Sequence, residues 1–275
     1  MRMSVGILSA IHGPADVHAL DAAELPALCG EIRTTLVRYG HVHGGHIGSN
    51  LEATVALHRV FDSPRDRIVF DVSHQSYVHK MLTGRADAYL DPAHHDSVTG
   101  FTNPAESAHD QFVLGHTGTS ISLACGLAKS RDLTGGMDGG SGIRNVIAVI
   151  GDGSLSSAIA FEGLNNAGAS KRTNLLVILN DNNMAIDQAT GALKNYLLKI
   201  STSVHYNRFK QRLWGLMSHT PRLLRLCQKA GNAVKQGLLN KSNFFESLNF
   251  RYFGPVDGHN LKELVRTLRA LRDIE

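Results

Sequence analysis

Short apolar runs separated by polar and glycine-rich turns fill the middle of the chain. Residues 146–150 form one such run, rich in β-branched side chains, and residues 175–179 form a second. Runs of this length and composition predict strands that are buried on both faces. Between them, apolar residues recur at helical spacing: Ala160, Phe161, Leu164 and Ala167. We therefore predict a strand–turn–helix–strand unit whose two strands are parallel neighbours.

Helical patterns and a further strand flank this unit. Residues 16–39 predict a largely helical segment with Asp21 as its N-cap. Its buried face is predicted to carry Leu25, Leu28, Ile32 and Leu36. Residues 261–272 predict a closing amphipathic helix. Residues 67–72 predict another strand, and residues 250–253 a short last one. This alternation predicts an α/β fold, a doubly wound and mostly parallel sheet with helices on both faces. The functional site should lie at the carboxyl ends of its strands.

Size and composition allow one large α/β domain. The chain has 275 residues, 43% of them hydrophobic, and 27 glycines. Cys29, Cys125 and Cys227 are odd in number and widely spaced, so we expect neither disulfides nor a zinc site, and a reducing compartment. The first apolar run is short for a signal peptide, and no run of eighteen apolar residues follows. We expect a cytoplasmic protein without a membrane span.

Positive charge is concentrated in one region of the chain. The formal net charge is +4, and no acidic residue lies between Asp187 and Glu246. A nucleic-acid-binding face would be one interpretation. The basic residues show neither aromatic interleaving nor a recognised binding fold, so we favour a solvated, mobile excursion over about residues 189–245 and expect no nucleic-acid partner.

The turn after each central strand carries oxygen ligands. The first predicted strand ends in Gly151-Asp152-Gly153, and Asn182 follows the second, thirty residues after Asp152. Glycines allow a ligand to approach the backbone closely, and the N–H groups at a helix start suit a phosphate. A carboxylate and an amide oxygen beside a diphosphate suit Mg²⁺, which prefers few protein oxygens and shares the rest with phosphate and water.

This pair of turns resembles the cofactor motif of thiamine-diphosphate enzymes. In that family a GDG turn is followed, after roughly thirty residues, by an asparagine. The resemblance implies that Asp152, the Asn182 side chain and the Met184 carbonyl hold Mg²⁺. It also implies that Gly153 and Ser154 approach the diphosphate.

Histidines are unusually frequent before this unit. No pair has the spacing of a zinc-binding helix motif together with a third ligand. Two of them lie at positions typical of active sites: His46 follows two glycines, and His74 follows the predicted strand 67–72. For His58, His79, His94, His95 and His109 we favour structural roles.

Six ordered motifs resemble the 1-deoxy-D-xylulose-5-phosphate synthase family of transketolase-like transferases. The motifs are GGHIGSN, FDVSHQSYVHKMLTGR, GFTNPAESAHDQF, GHTGTSISLACGLAKSRDL, the central GDG-to-NDNN stretch and RYFGPVDGHN. The resemblance covers essentially the whole chain and is weakest over residues 189–241. It implies thiamine-diphosphate-dependent condensation of pyruvate with glyceraldehyde 3-phosphate, with release of CO₂. That step feeds the biosynthesis of isoprenoid precursors, thiamine and pyridoxal.

The resemblance also implies individual roles. His74 matches a histidine that contacts the cofactor near its reactive end, and His46 matches a general acid/base, a role that suits the pKa of imidazole. Gly115, His116 and Thr117 match a loop that covers the cofactor. Glu162 is interpreted either as an ordinary helix charge or as a residue near a subunit interface.

Three departures from the family pattern qualify these expectations. The loop after Asn50 is about three residues shorter, which would displace His46, and Gly118 stands where relatives carry a hydroxyl. The chain also lacks the pyrimidine-binding and C-terminal domains, so residues 1–275 would form only the diphosphate- and Mg²⁺-binding domain and be inactive alone. Family members are homodimers, and we expect a homodimer or a complementing C-terminal half. The alternatives are a subunit of a split transketolase and an inactive cofactor-binding remnant.

Overall fold

The computed structural model describes residues 6–45, 50–135, 142–170, 173–182, 195–196 and 244–274. Its strands are β1 (Arg67–Phe70), β2 (Val146–Gly151) and β3 (Leu176–Asn180). Its α-helices are α1 (Pro14–Ala19), α2 (Leu25–His43), α3 (Leu51–Val60), α4 (Tyr77–Lys80), α5 (Asp87–Leu90), α6 (Ser120–Leu133), α7 (Asp152–Leu155), α8 (Ala158–Ala169), α9 (Phe244–Ser247) and α10 (Leu261–Arg272). Leu8–Ala10 and Pro92–Ser97 are 3₁₀ helices, and the π-helical segment Met81–Arg85 follows α4 directly.

The three strands form one parallel sheet in the order β1-β2-β3. Arg67 pairs with Val146, and Gly151 pairs with Asn180, so β2 and β3 end at the same level. The predicted strand–turn–helix–strand unit is therefore confirmed, with the second strand beginning one residue later than predicted. This register places the residues after Gly151 beside those after Asn180.

Both faces of the sheet are covered by helices. Ile68, Phe70, Ile147 and Val149 belong to one core cluster with residues of α3 and α10. The alternate residues Val69, Ala148 and Ile150 are also buried, and α6 packs against β1 and β2. In β1 and β2, burial on both faces explains the continuous apolar runs, whereas β3 is half-buried throughout, so the predicted burial on both faces is wrong for that strand. The α/β class is confirmed.

Two sequence predictions about local structure were wrong. Residues 16–39 form the end of one helix and the start of another, because α1 ends at Ala19 and α2 begins at Leu25 with Glu24, not Asp21, at its N-cap. The predicted helical face of α2 is confirmed: Leu25, Leu28, Ile32 and Leu36 are all buried. Residues 250–253 form no strand.

The described chain divides into two units, residues 6–182 with 256–274 and residues 195–196 with 244–255. In the smaller unit, the backbone N–H of Phe244 donates to the Tyr196 hydroxyl at 2.6 Å, and Phe245 stacks on Tyr252. Most of the predicted basic excursion lies outside the described residues, so the predicted domain organisation stays a prediction. Among the described helices, none combines the length and the apolar character that crossing a bilayer requires.

Candidate functional site

The carboxyl ends of β2 and β3 bring two acidic side chains together. Asp152 follows Gly151 directly, and Asp181 follows its register partner Asn180. Burial raises the pKa of Asp152, and the charge of Asp181 together with a hydrogen bond between the two side chains raises it further. Backbone hydrogen bonds to the Asp152 carboxyl act in the opposite direction. Two neighbouring carboxyl groups at a strand edge form an environment that favours a cation.

Of the other two predicted magnesium ligands, the structure describes only Asn182. Asn182 lies one residue beyond Asp181 and is exposed, on the loop that leaves β3. Met184, whose carbonyl is the third predicted magnesium ligand, lies outside the described residues, and so does His46. Within the described ranges, no three His, Cys, Asp or Glu side chains converge to hold a metal ion. The predicted Mg²⁺ ligand set therefore stays a prediction.

The segment after Asp152 is helical but interrupted. Gly153 and Ser154 lie in the short helix α7, and α8 begins at Ala158 after a break. Ser157 is the N-cap of α8, where its hydroxyl accepts a hydrogen bond from the N–H of Ala160 at 3.3 Å. The predicted single helix is thus two helices, because the Ser157 cap starts a new one. In α8, Glu162 is exposed and accepts a hydrogen bond from Asn165.

The loop with the sequence GHT lies beside the carboxyl end of β1 and the start of α8. Gly115, His116 and Thr117 are exposed, and His116 Nδ1 donates to the Thr117 carbonyl at 2.8 Å. Gly118 is buried with φ of +79°, and a Cβ there would come within 1.9 Å of Ser157 Oγ. The contact brings this loop against the helix that follows the GDG turn. His74, half-buried, follows the end of β1.

Sequence reasoning missed two acidic residues at this edge. Asp71 directly follows β1 and accepts backbone hydrogen bonds from Gly118, which follows the GHT residues, and from Ser120 at the start of α6, each at 2.9 Å. Asp181 faces Asp152. Asp181 directly precedes Asn182, and Asp71 lies three residues before His74. An acid at the tip of a strand, in the runs FDVSH and LNDNN, was the available signal.

Two of the remaining histidines belong to a buried polar cluster, in which the His79 ring packs on Phe70 at the end of β1. His58 Nε2 lies 2.9 Å from His79 Nδ1, and His79 Nε2 lies 3.1 Å from Asp110 Oδ1. Both imidazoles are fully buried, and burial lowers the pKa of each, with the neighbouring histidine contributing for His58. We name this cluster, together with Lys80, Arg85 and Glu106, the buried polar network.

The buried polar network is closed by ion pairs. Arg85 donates two hydrogen bonds to Asp110, both at 2.8 Å, and Lys80 lies 2.5 Å from Glu106. Burial opposes ionisation of Asp110, but hydrogen bonds from Arg85 and His79 outweigh it and hold its pKa well below the usual range. Because Asp110 is ionised, His79 Nε2 donates to it. The lowered pKa values keep both imidazoles neutral, so His79 Nδ1 carries no proton and accepts a hydrogen bond from His58 Nε2.

The residues at the strand ends fit a magnesium-bound diphosphate. Asp152 and Asn182 supply the hard oxygens that Mg²⁺ prefers, and the proximity of Asp181 adds negative charge. A Cβ added at Gly151 or at Gly115 would meet nothing within 4 Å, so there is room beside both turns. Donor chemistry and open space are both consistent with the cofactor that the sequence motif implies.

Comparisons with known proteins identify the family of this chain. Residues 8–275 match the sequence model of 1-deoxy-D-xylulose-5-phosphate synthase. Proteins of that name from Phocaeicola vulgatus and Thiobacillus denitrificans are each 44% identical to the chain, and one from Chlorobaculum tepidum is 43% identical. The alignments cover 98%, 99% and 98% of this chain but only 43%, 43% and 42% of those relatives. The chain thus spans less than half the length of its relatives, and it belongs to the 1-deoxy-D-xylulose-5-phosphate synthase family.

Proposed function

We propose that this chain is the diphosphate- and Mg²⁺-binding part of a thiamine-diphosphate-dependent transferase that makes 1-deoxy-D-xylulose 5-phosphate. The substrates would be pyruvate and glyceraldehyde 3-phosphate, and CO₂ would be released. The observation that carries the proposal is the register of β2 and β3, which sets Asp152 next to the loop of Asn182 in a chain of this family. Bound thiamine diphosphate would supply the carbon nucleophile and the electron sink for decarboxylation.

In this proposal the residues of this chain bind and orient the cofactor. Asp152 and Asn182, with the carbonyl of Met184, hold Mg²⁺, while Gly153 and Ser154 offer the backbone and hydroxyl groups of α7 to the diphosphate. Gly115, His116 and Thr117 cover the cofactor from the neighbouring loop. His116 Nδ1 donates to the Thr117 carbonyl, which orients the exposed ring within this loop.

Two histidines would handle protons and the reactive end of the cofactor. His74, half-buried after β1, is proposed to contact the cofactor near its reactive carbon. His46 is proposed as the general acid/base that transfers protons to and from bound intermediates, because imidazole titrates near neutral pH. The residues that bind the pyrimidine and the substrate phosphate would come from further domains or from a partner chain, most simply in a homodimer.

The binding step can be tested on the chain itself. Asp152→Ala should weaken binding of thiamine diphosphate in the presence of Mg²⁺ about 100-fold, because losing a charged ligand costs roughly 2–3 kcal/mol. Removal of Mg²⁺ with EDTA should weaken the wild type similarly. Asp87→Ala is the matched control, since Asp87 is the exposed first residue of the equally short helix α5. Isothermal titration calorimetry measures all four affinities, and equal affinities would contradict the proposal.

Donor choice separates the proposal from a split transketolase. The chain would be combined with the missing C-terminal half of the Chlorobaculum tepidum relative, and CO₂ release from pyruvate would be compared with ketol transfer from a ketose phosphate. Pyruvate turnover supports the synthase, and transfer from the ketose phosphate alone would favour the transketolase. If cofactor binding and both reactions are absent, the chain is an inactive remnant.

A further inference from the structure

The turn between β1 and His74 has an unusual backbone. Val72 has φ of +58° and Ser73 has φ of +66°, both in the left-handed region. Side-chain sterics disfavour this region, most of all for a β-branched residue such as valine. Conformations of this kind persist where surrounding contacts determine them, and they occur often at functional sites. The contacts that hold the turn are therefore informative.

The first contact is made by the carboxylate before the strained pair. Asp71 is only 7% exposed, and its two oxygens accept hydrogen bonds from different backbone N–H groups. Oδ2 accepts from Gly118 and Oδ1 from Ser120, each at 2.9 Å. Charge-assisted hydrogen bonds of a buried carboxylate are among the stronger polar contacts in proteins. Asp71 therefore fixes the end of the GHT loop and the start of α6 to the end of β1.

The second contact is made by the strained serine. The Ser73 hydroxyl, fully buried, accepts a hydrogen bond from the N–H of Thr102 at 3.0 Å and donates to the carbonyl of Leu114 at 3.3 Å. Thr102 and Leu114 are far apart in sequence, so one side chain holds two distant points of the same segment. The left-handed conformation of Ser73 aims its hydroxyl between them.

The segment held by these contacts has little structure of its own. Residues 98–119 contain turns and bends but no helix or strand, so few backbone hydrogen bonds fix their shape. Near its end, this segment contains Gly115, His116 and Thr117, the residues proposed to cover the cofactor. After the strained turn, the chain continues directly into His74. One short piece of backbone thus holds both proposed cofactor contacts.

We propose that Asp71 and Ser73 are positioning residues that set the GHT loop and His74 at a fixed distance from each other. Neither residue needs to touch the cofactor. This inference rests on the proposed function, because the two elements are cofactor contacts only if that function holds. It adds to the function a reason for the strained turn: the turn that strains Val72 and Ser73 is the one from which Asp71 and Ser73 hold the loop.

The sharpest test compares two buried aspartates at opposite ends of β1. Asp66 is 1% exposed and accepts hydrogen bonds from the N–H groups of Asp62 and Asn145, at the amino end of the strand. Asp66→Asn and Asp71→Asn both replace one accepting oxygen with a donor. We expect both to lower the melting temperature, but only Asp71→Asn to weaken binding of magnesium–thiamine diphosphate, by about tenfold. Equal weakening in both variants, or in neither, overturns the inference.

Amide exchange provides a measurement that does not depend on the cofactor. In the wild type, the N–H groups of Gly118 and Ser120 should exchange slowly, and Asp71→Asn should accelerate both while Asp66→Asn leaves them unchanged. If Asp71→Asn does not fold, Ser73→Ala removes only a hydroxyl and should accelerate exchange at Thr102 with the same selective loss of affinity. Unchanged exchange overturns the inference. A wild type with protected amides but no cofactor binding contradicts the proposed function instead.

Discussion

Two polar regions of this chain treat their acidic residues in opposite ways. In the buried polar network, Asp110 accepts two hydrogen bonds from Arg85 and one from His79, and its pKa is lowered. At the carboxyl ends of β2 and β3, Asp152 faces a second acid, and burial followed by that neighbour raises its pKa. The first region is electrostatically complete within the chain, whereas the second has an excess of negative charge.

This difference indicates that the first region stabilises the fold and that the second is suited to binding an ion or a ligand. A complete network resists change, because removal of one member leaves its partners buried and charged. A region with uncompensated charge costs stability, and proteins tolerate that cost chiefly where an ion or ligand will bind. The open space at Gly151 lies at the end of β2, in the second region. The comparison therefore predicts that substitutions in the two regions have different consequences.

The largest difference should come from removing one acid in each region. Asp110→Ala should lower the free energy of unfolding by about 3–5 kcal/mol, since it leaves Arg85 and His79 buried without their carboxylate. Asp152→Ala, measured without metal or cofactor, should change it by less than about 1 kcal/mol, because repulsion from Asp181 is relieved. Urea unfolding at pH 7 measures both. Similar losses in the two variants would remove the distinction between the regions.

The pH dependence of stability sharpens the comparison. Burial lowers the pKa values of His58, His79 and His109, the last to about 4. The unfolded chain binds protons at these histidines near pH 6.5, and the folded chain binds them only at lower pH. Their contribution is therefore present above about pH 6.5 and is lost as the pH falls, by about 1.4 kcal/mol per pH unit for each proton.

Unfolding experiments between pH 8 and pH 4 would measure that slope. His109→Gln retains a side chain that can bind the Ser63 hydroxyl, which lies 2.9 Å from His109 Nδ1, and should reduce the slope by one proton. Repeating the series in high salt controls for exposed charges, which salt screens far more than buried ones. A free energy of unfolding that does not change between pH 7 and pH 5 would mean that these three histidines bind protons as readily in the folded chain as in the unfolded chain.

The smallest effect is expected at the strained turn. Val72→Gly relieves a left-handed conformation that costs roughly 1–3 kcal/mol, while glycine costs about 0.5–1 kcal/mol in chain entropy and loses the half-buried side chain. The free energy of unfolding should therefore stay unchanged or rise by up to about 1 kcal/mol. Val69→Gly, inside β1, is the control and should be clearly destabilising. A comparable loss in both variants would show that Val72 carries no strain.

Periodicity predicted the parts of the fold that repeat along the chain. The run at residues 146–150 is continuous because both sheet faces are covered there, and its parallel pairing with the half-buried run at residues 175–179 followed from the helix between them. The buried face of α2 and the closing helix α10 were visible for the same reason. Helix boundaries were less accurate, because the caps at Glu24 and Ser157 depend on local hydrogen bonds.

The site could be predicted only where a motif marks it. Asp152 and Asn182 stand in recognisable turns, and the register of β2 and β3 agrees with the geometry expected there. Asp71 and Ser73 were missed because their partners are between 29 and 49 residues away, on a segment with no periodic pattern. Asp110 and Arg85 are joined across 25 residues, and nothing in their spacing shows that both are nearly buried. Long-range hydrogen bonds leave no local pattern.

The close approach of Gly118 to Ser157 limits how this family can change over evolutionary time. A side chain at position 118 would overlap the hydroxyl that caps α8, unless the backbone at 118 or the residue at 157 changed with it. The two positions are 39 apart in sequence but share one volume. Substitutions at them should therefore be correlated among relatives. A homologue with a hydroxyl residue at 118 should carry a smaller or differently oriented residue at 157.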